Sequence, residues 1–229
     1  MDAAFFQTLV LTGKLAGLTT CILLLIGLPV AYFLAYNRFP FRSLLEALIS
    51  MPMVLPPTVL GFYLLLAYRP DGILGIYWEK LFGNRLAFSF EGILLASILF
   101  GLPFMIQPLQ NGFGSVPNSL REAARTLGKS KLSIFFNVLL PNITPSLVTA
   151  TALTFAHCIG EFGVIIMVGG NIPGETRVAS IAIYDEVQAL QYDTANQYSL
   201  VLFLISLVLL TLINAFNRSH NKNTHHATY

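Results

Sequence analysis

Residues 122–141 read EAARTLGKSKLSIFFNVLLP and lie between two long apolar runs, residues 92–113 and 143–168. This stretch, with Arg121 just before it, places Arg125, Lys129 and Lys131 close together in a chain that is 55% hydrophobic and only 10% charged. Soluble domains average roughly 25% charged residues, so a basic island in this background marks a water-exposed loop between membrane spans. Its composition predicts an amphipathic helix, a turn at Gly128, a second helical piece and a stop at Pro141. Ala123 and Ala124 favour helix and let another surface approach closely. Gly128 supplies left-handed backbone. Leu127, Leu132, Phe135 and Phe136 offer an apolar face that a partner's groove would bury.

Outward from this island, five stretches reach the roughly 20 apolar residues that a helix needs to cross hydrocarbon. They are residues 9–36, 44–68, 92–113, 143–168 and 198–216. None alternates with a period of two, which argues against an outer-membrane barrel. The expected fold is therefore all-α, a polytopic membrane protein of five transmembrane helices. Residues 1–218 form one transmembrane domain, and residues 219–229 a polar tail with His220, His225 and His226, expected to be disordered. The first span, preceded by Asp2 and lacking a basic start, is not expected to be a cleaved signal.

Eight cations fall on one side of this topology: Arg38, Arg42, Arg121, Arg125, Lys129, Lys131, Arg218 and Lys222. Arg69, Lys80, Arg85 and Arg177 fall on the other, with Lys14 near that end of the first span. The positive-inside rule makes the first side cytoplasmic, with the C-terminus inside and the N-terminus outside. A net charge of +2 is too small to suggest nucleic acid. Cys21 and Cys158 lack paired spacing, which argues against a disulfide or zinc site, and they read as small buried hydrophobes.

The spans are not plain anchors. The second holds Pro52, Pro56, Pro57 and Gly61, the third Gly101, Pro103 and Pro108, and the fourth Gly160, Glu161 and Gly163. Each such break frees backbone groups that lipid cannot satisfy, so interrupted helices are expected to pack around a pathway. Pro56, Pro57, Gly160, Glu161 and Gly163 are the candidate pathway or gate residues. A carboxylate at a helix centre costs about 2.5–3.5 kcal/mol on insertion scales. Glu161 is therefore expected to be a hinge or a structural hydrogen-bond partner to Thr, Asn or His157, not a contact for an anion. His157 itself reads as a satisfied interhelical residue. Lys14 is expected to snorkel, and Glu46 to complement its helix dipole. Between the last two spans, Val178, Ile181, Tyr184, Val187 and Leu190 recur at helical spacing and predict an amphipathic helix at the outer rim.

The spacing of the island is Glu122-Ala123-Ala124, three residues, Gly128, nine residues, Val138, one residue, Leu140-Pro141. It resembles the EAA signature of ATP-binding-cassette importer permeases, with Val138 where isoleucine is usual. Three runs extend the resemblance to the permease subunits of molybdate transporters over nearly the whole chain: MPMVLPPTVLGFYLLL (residues 51–66), the EAA loop, and IGEFGVIIMVGGNIPGETRVASIAIYDEVQA (residues 159–189), in which GEFG followed by GNIPGET is the more specific marker. Sulfate and tungstate permeases share overlapping motifs. Some relatives carry a further span at the start, which this chain is not expected to have.

The resemblance implies a type I importer permease (MetI-like) fold in the bacterial inner (plasma) membrane. It implies a homodimer around a shared path, two ABC ATPase subunits, and a periplasmic or extracellular oxyanion-binding protein. Glu122, Ala123, Ala124, Gly128, Val138, Leu140 and Pro141 would couple the chain to the ATPase. The expected function is ATP-driven import of a tetrahedral oxyanion, molybdate first, with tungstate, sulfate or thiosulfate as alternatives. No catalytic or metal-binding residues and no bound cofactor are expected, ATP being used by the partner. The run AARTLGKS nearly copies a phosphate-binding loop, but Ala123 replaces its first glycine and no strand precedes it. A secondary anion transporter is the competing class. It would show a repeated half or charges in several spans, and the sequence has neither.

Overall fold

The computed structural model describes residues 3–225, and among them every regular element is helical. Three helices are long and apolar enough to cross a membrane, or five spans if each of two sharply bent helix pairs counts as one. The long ones are α1 (Ala3–Tyr36), α5 (Phe90–Ser115) and α12 (Tyr192–His225). The bent pairs join α2 (Arg42–Val54) to α3 (Pro57–Tyr68) at 111°, and residues 131–142 to α9 (Thr144–Gly160) at 74°. α10 (Gly163–Gly169) continues beyond α9, while α4 (Ile73–Phe82) and α11 (Ala179–Gln188) fill the two predicted outer loops.

The core forms where α1, α5 and α9 pack together. Leu23, Met105, Ile106, Leu109, Phe113 and Ala150 are fully buried there. By contrast α12 presents Leu200, Phe203, Leu204, Leu207 and Val208 outward, as expected of a helix that faces lipid.

The proline-rich second span is broken as predicted, so sharply that residues 44–68 form two helices. Leu55 and Pro56 are extended, and Pro57 takes the first-turn position of α3, where its missing N–H costs nothing. The third span departs from expectation, because α5 runs unbroken through Gly101, Pro103 and Pro108. Pro103 and Gly101 are buried among neighbouring helices, and tertiary packing holds the helix across the lost hydrogen bonds.

Pro141 does not end a helix. A π-turn over Phe135–Leu139 widens the backbone just before it, and Pro141 sits in α8 (Leu140–Asn142). A π-turn relieves the clash that proline's ring makes with a preceding carbonyl, so the chain bends at Ile143, two residues later than expected. The tail also differs. α12 extends to His225, each added turn being cheap on a helix already nucleated, and residues 226–229 lie outside the described residues.

Cys158 is buried as expected, but Cys21 is exposed on the bundle surface. Val178, the N-cap of α11, is buried with Ala179, Ile181 and Ala182 of the helix, while Leu190 falls beyond the helix with a positive φ of 61°. Lys14 lies over the Phe90 ring at 4.4 Å. Glu46 pairs with Arg42 at 2.9 Å and accepts from Gln110 on α5 at 2.7 Å, so it joins helices as well as sitting near a helix start.

Candidate functional site: a projecting arm and a double helix break

The predicted island folds as an arm at one end of the bundle. α6 (Asn118–Thr126) ends at a turn in which Gly128 adopts φ +73° and Lys129 N–H donates to the Ala124 carbonyl. α7 (Lys131–Ile134) follows, started by Ser130, whose hydroxyl accepts from Ser133 N–H at 3.2 Å. The arm has two faces. Ala124, Ile134 and Leu139 are buried against the core, while Val138 and Leu140 are half-buried on it. On the other face Leu127, Leu132 and Phe136 are 78%, 73% and 58% exposed. Glu122, Ala123, Gly128 and Pro141 are also exposed.

Two expectations change here. The alanines divide their labour: Ala124 packs inward and only Ala123 faces out. Phe135 turns toward Tyr32 and Phe113 and leaves the outer face.

The second feature lies within the bundle. α9 stops at Gly160, Glu161 and Phe162 leave helical geometry, and α10 begins at Gly163. This break abuts the other one: a Cβ on Gly163 would fall 2.7 Å from the Pro57 Cβ, closer than side-chain carbons approach. The two half-helices then run side by side, with Gly61 of α3 against Val164 and Met167 of α10. Pro57 and Gly163 are thus brought together, with Pro56 and Gly160 exposed beside them.

Glu161 is 4% exposed, and neither side-chain oxygen has a hydrogen-bond partner among the described residues. The expected bond to Thr, Asn or His157 is absent. The carboxyl lies beside Ser97 and Cys158. His157 is not hydrogen-bonded through Nε2 either; it stacks on Phe104 at a centroid distance of 3.8 Å and lies 5.0 Å from Phe100. The break is fastened through its backbone, because Ser180 on α11 donates to the Glu161 carbonyl at 2.7 Å.

Several residues that position this region were not singled out from sequence. Thr176, fully buried, accepts from Ile172 N–H and donates to the Gly169 carbonyl at 2.7 Å, closing the turn after α10. Thr12 of α1 accepts from Ala179 N–H at 2.8 Å and so caps α11 from another helix. Arg177 pairs with Asp185 at 3.0 Å, and Asn171 donates to the same carboxylate. A hydroxyl in a turn-rich run hinted at Thr176. No local pattern marks Thr12 or Ser180.

Among the described residues, no three or more His, Cys, Asp or Glu side chains group so as to hold a metal ion.

The sequence pattern of the family described as "Binding-protein-dependent transport system inner membrane component" matches residues 27–226. The chain is 41% identical over 208 residues to the molybdenum transport system permease protein ModB of Azotobacter vinelandii, covering 91% of this chain and 92% of that one. It is 35% identical over 188 residues to the sulfate transport system permease protein CysT of Escherichia coli K12, covering 82% and 68%. In structure it is similar to a bacterial transporter that imports the acidic polysaccharide alginate, with a TM-score of 0.78, 18% identity, and coverage of 96% and 80%. An inward-facing MetNI methionine transporter superposes with a TM-score of 0.72 at 18% identity, covering 96% and 99%.

Proposed function

Since the chain belongs to the binding-protein-dependent transport system inner membrane components, a family of multi-pass permeases, we propose that it is the membrane subunit of an ATP-driven importer for molybdate. The observation that carries this reading is the 41% identity to a molybdenum permease over nine-tenths of both chains. The sulfate permease is a more distant and longer relative, so sulfate, thiosulfate or tungstate is the second reading.

The permease works as a homodimer with two ABC ATPase subunits and an external oxyanion-binding protein. It binds no ATP and has no hydrolytic chemistry of its own. The C-terminus and the arm are cytoplasmic and the N-terminus is outside, which agrees with the excess of Lys and Arg on the arm's side. The ATPase grips the exposed face of the arm, where Ala123 admits close approach and Leu127, Leu132 and Phe136 supply apolar area. Arg125, Lys129, Lys131 and Glu122 orient it. Gly128 and Pro141 with Val138 and Leu140 set the arm's shape.

Alternating access is then driven from outside the bundle, and the paired breaks are where it yields. The α3 start and the Glu161–Phe162 break interrupt two spans at one place, so the path opens or closes by moving few residues. Selection of the anion rests mainly with the binding protein, and a weak path suffices because the anion must leave as well as enter.

The reading is tested by purifying the tagged chain from membranes that also hold the candidate ATPase. Recovery of the ATPase with wild type and its loss with Leu132→Asp plus Phe136→Asp are expected. Equal recovery with both would remove the arm from the interface.

A further inference from the structure

Where the arm joins the bundle, Arg121 of α6 and four aromatic rings, Tyr32 and Tyr36 of α1, Phe113 of α5 and Phe135 of the π-turn, form a connected cluster. The guanidinium carbon of Arg121 lies 4.3 Å above the centre of the ring of Tyr36, the last residue of α1. Tyr36 donates its hydroxyl proton to the Phe113 carbonyl of α5 at 2.8 Å. One turn earlier on α1, Tyr32 meets Tyr36, Phe113 and Phe135 edge-on, with centroids 5.2, 5.6 and 5.3 Å away.

Both roots of the arm are therefore tied to the same helix. The α6 root is held through Arg121 on Tyr36, and the π-turn root through Phe135 on Tyr32. Arg121 is further oriented by Asn118, to which it donates at 3.3 Å. Such contacts differ from the exposed face in being directional and internal: edge-to-face rings and a stacked guanidinium resist both tilting and sliding. By chain connectivity alone, a pull on the arm would reach only α5 and α9, its neighbours in sequence.

We infer that α1 is the lever of this permease. Arg121, Tyr36 and Tyr32 are positioning residues that convert movement of the arm into movement of α1. This rests on the arm being the ATPase contact, and it goes further by naming the helix that receives the force and the residues that pass it on.

The test uses the complete transporter in proteoliposomes, scoring anion taken up per ATP hydrolysed, with ATPase recovery measured on the same samples. Arg121→Gln and Tyr36→Leu are expected to cut uptake per ATP about tenfold while ATPase binding and hydrolysis stay within about twofold of wild type. Arg121→Lys, which keeps charge but stacks less well, is expected to recover part of the ratio, and Tyr36→Phe, which keeps the ring, most of it. An unchanged ratio in Arg121→Gln and Tyr36→Leu overturns the lever. So does loss of ATPase binding in those variants, since the residues would then be docking contacts. If the two strong variants fail to fold and insert at all, the conservative pair decides: a wild-type ratio in Arg121→Lys sinks the stacking argument. Failure of wild type itself to bind an ATPase would count against the docking reading, not this one.

Discussion

Gly163 and Pro57 touch, and through them the two interrupted spans of this permease meet at their breaks. Each residue is the first of its half-helix, and each is suited to that position for a different reason. Proline starts a helix without wasting a donor, and glycine lets another backbone come within contact distance. A substitution at the glycine therefore acts on both spans at once. Gly163→Ala puts a methyl group 2.7 Å from the Pro57 Cβ. Overpacking of this kind costs about 1–3 kcal/mol. Uptake is expected to fall, and the thermal midpoint of the detergent-purified chain to drop. Wild-type uptake in Gly163→Ala would show that the contact is not needed for opening.

Ser180 holds the same break by donating to the Glu161 carbonyl. Ser180→Ala leaves that carbonyl, at the end of α9, without its partner. One such bond is worth about 1 kcal/mol, or roughly 2–4 °C in midpoint for a chain of this size. Thermal unfolding followed by intrinsic fluorescence checks the shift.

Glu161 is buried and its carboxyl is unpaired, an arrangement that stability alone does not favour. Glu161→Gln removes the possibility of an uncompensated charge at constant shape. It is expected to melt no lower than wild type while transporting less, since locally costly residues tend to sit where function needs them. A lower midpoint with intact uptake would make Glu161 purely structural.

The two alanines of the arm separate by face. Ala123→Glu places a charge on the exposed side and is expected to abolish ATPase recovery with little change in the permease's own melting. Ala124→Glu buries a charge against Ile134 and Leu139, and is expected to lower the midpoint by several degrees as well. Gly128→Val, at φ +73°, is expected to deform the turn between the arm's two helices and to block uptake while the chain still inserts. Protease protection in membranes separates insertion from activity.

Apolar length and charge placement made the spans legible, and the island's composition made the arm legible. Prolines and glycines marked two of the three expected breaks. The third expectation failed at Pro103 and Pro108 because helix packing, which leaves no local mark, decides whether a proline breaks a membrane helix or is carried by it. Pro141 misled for a related reason: a π-turn upstream absorbs it. The fastening of the site was the least visible part. Thr12, Ser180 and Tyr36 act through partners as far as 167 residues away in sequence, and a hydroxyl carries no signal of which distant backbone group it will meet. Glu161 stood out by its cost, but its cost could not say that it would go unpaired.

The decisive measurement is uptake of radiolabelled molybdate by proteoliposomes holding this chain, the ATPase and, outside, the binding protein. Uptake that requires enclosed ATP and the binding protein, and that is lost in Leu132→Asp plus Phe136→Asp, is the predicted result. Uptake driven by an ion gradient without ATP would contradict it and return the chain to the class of secondary transporters.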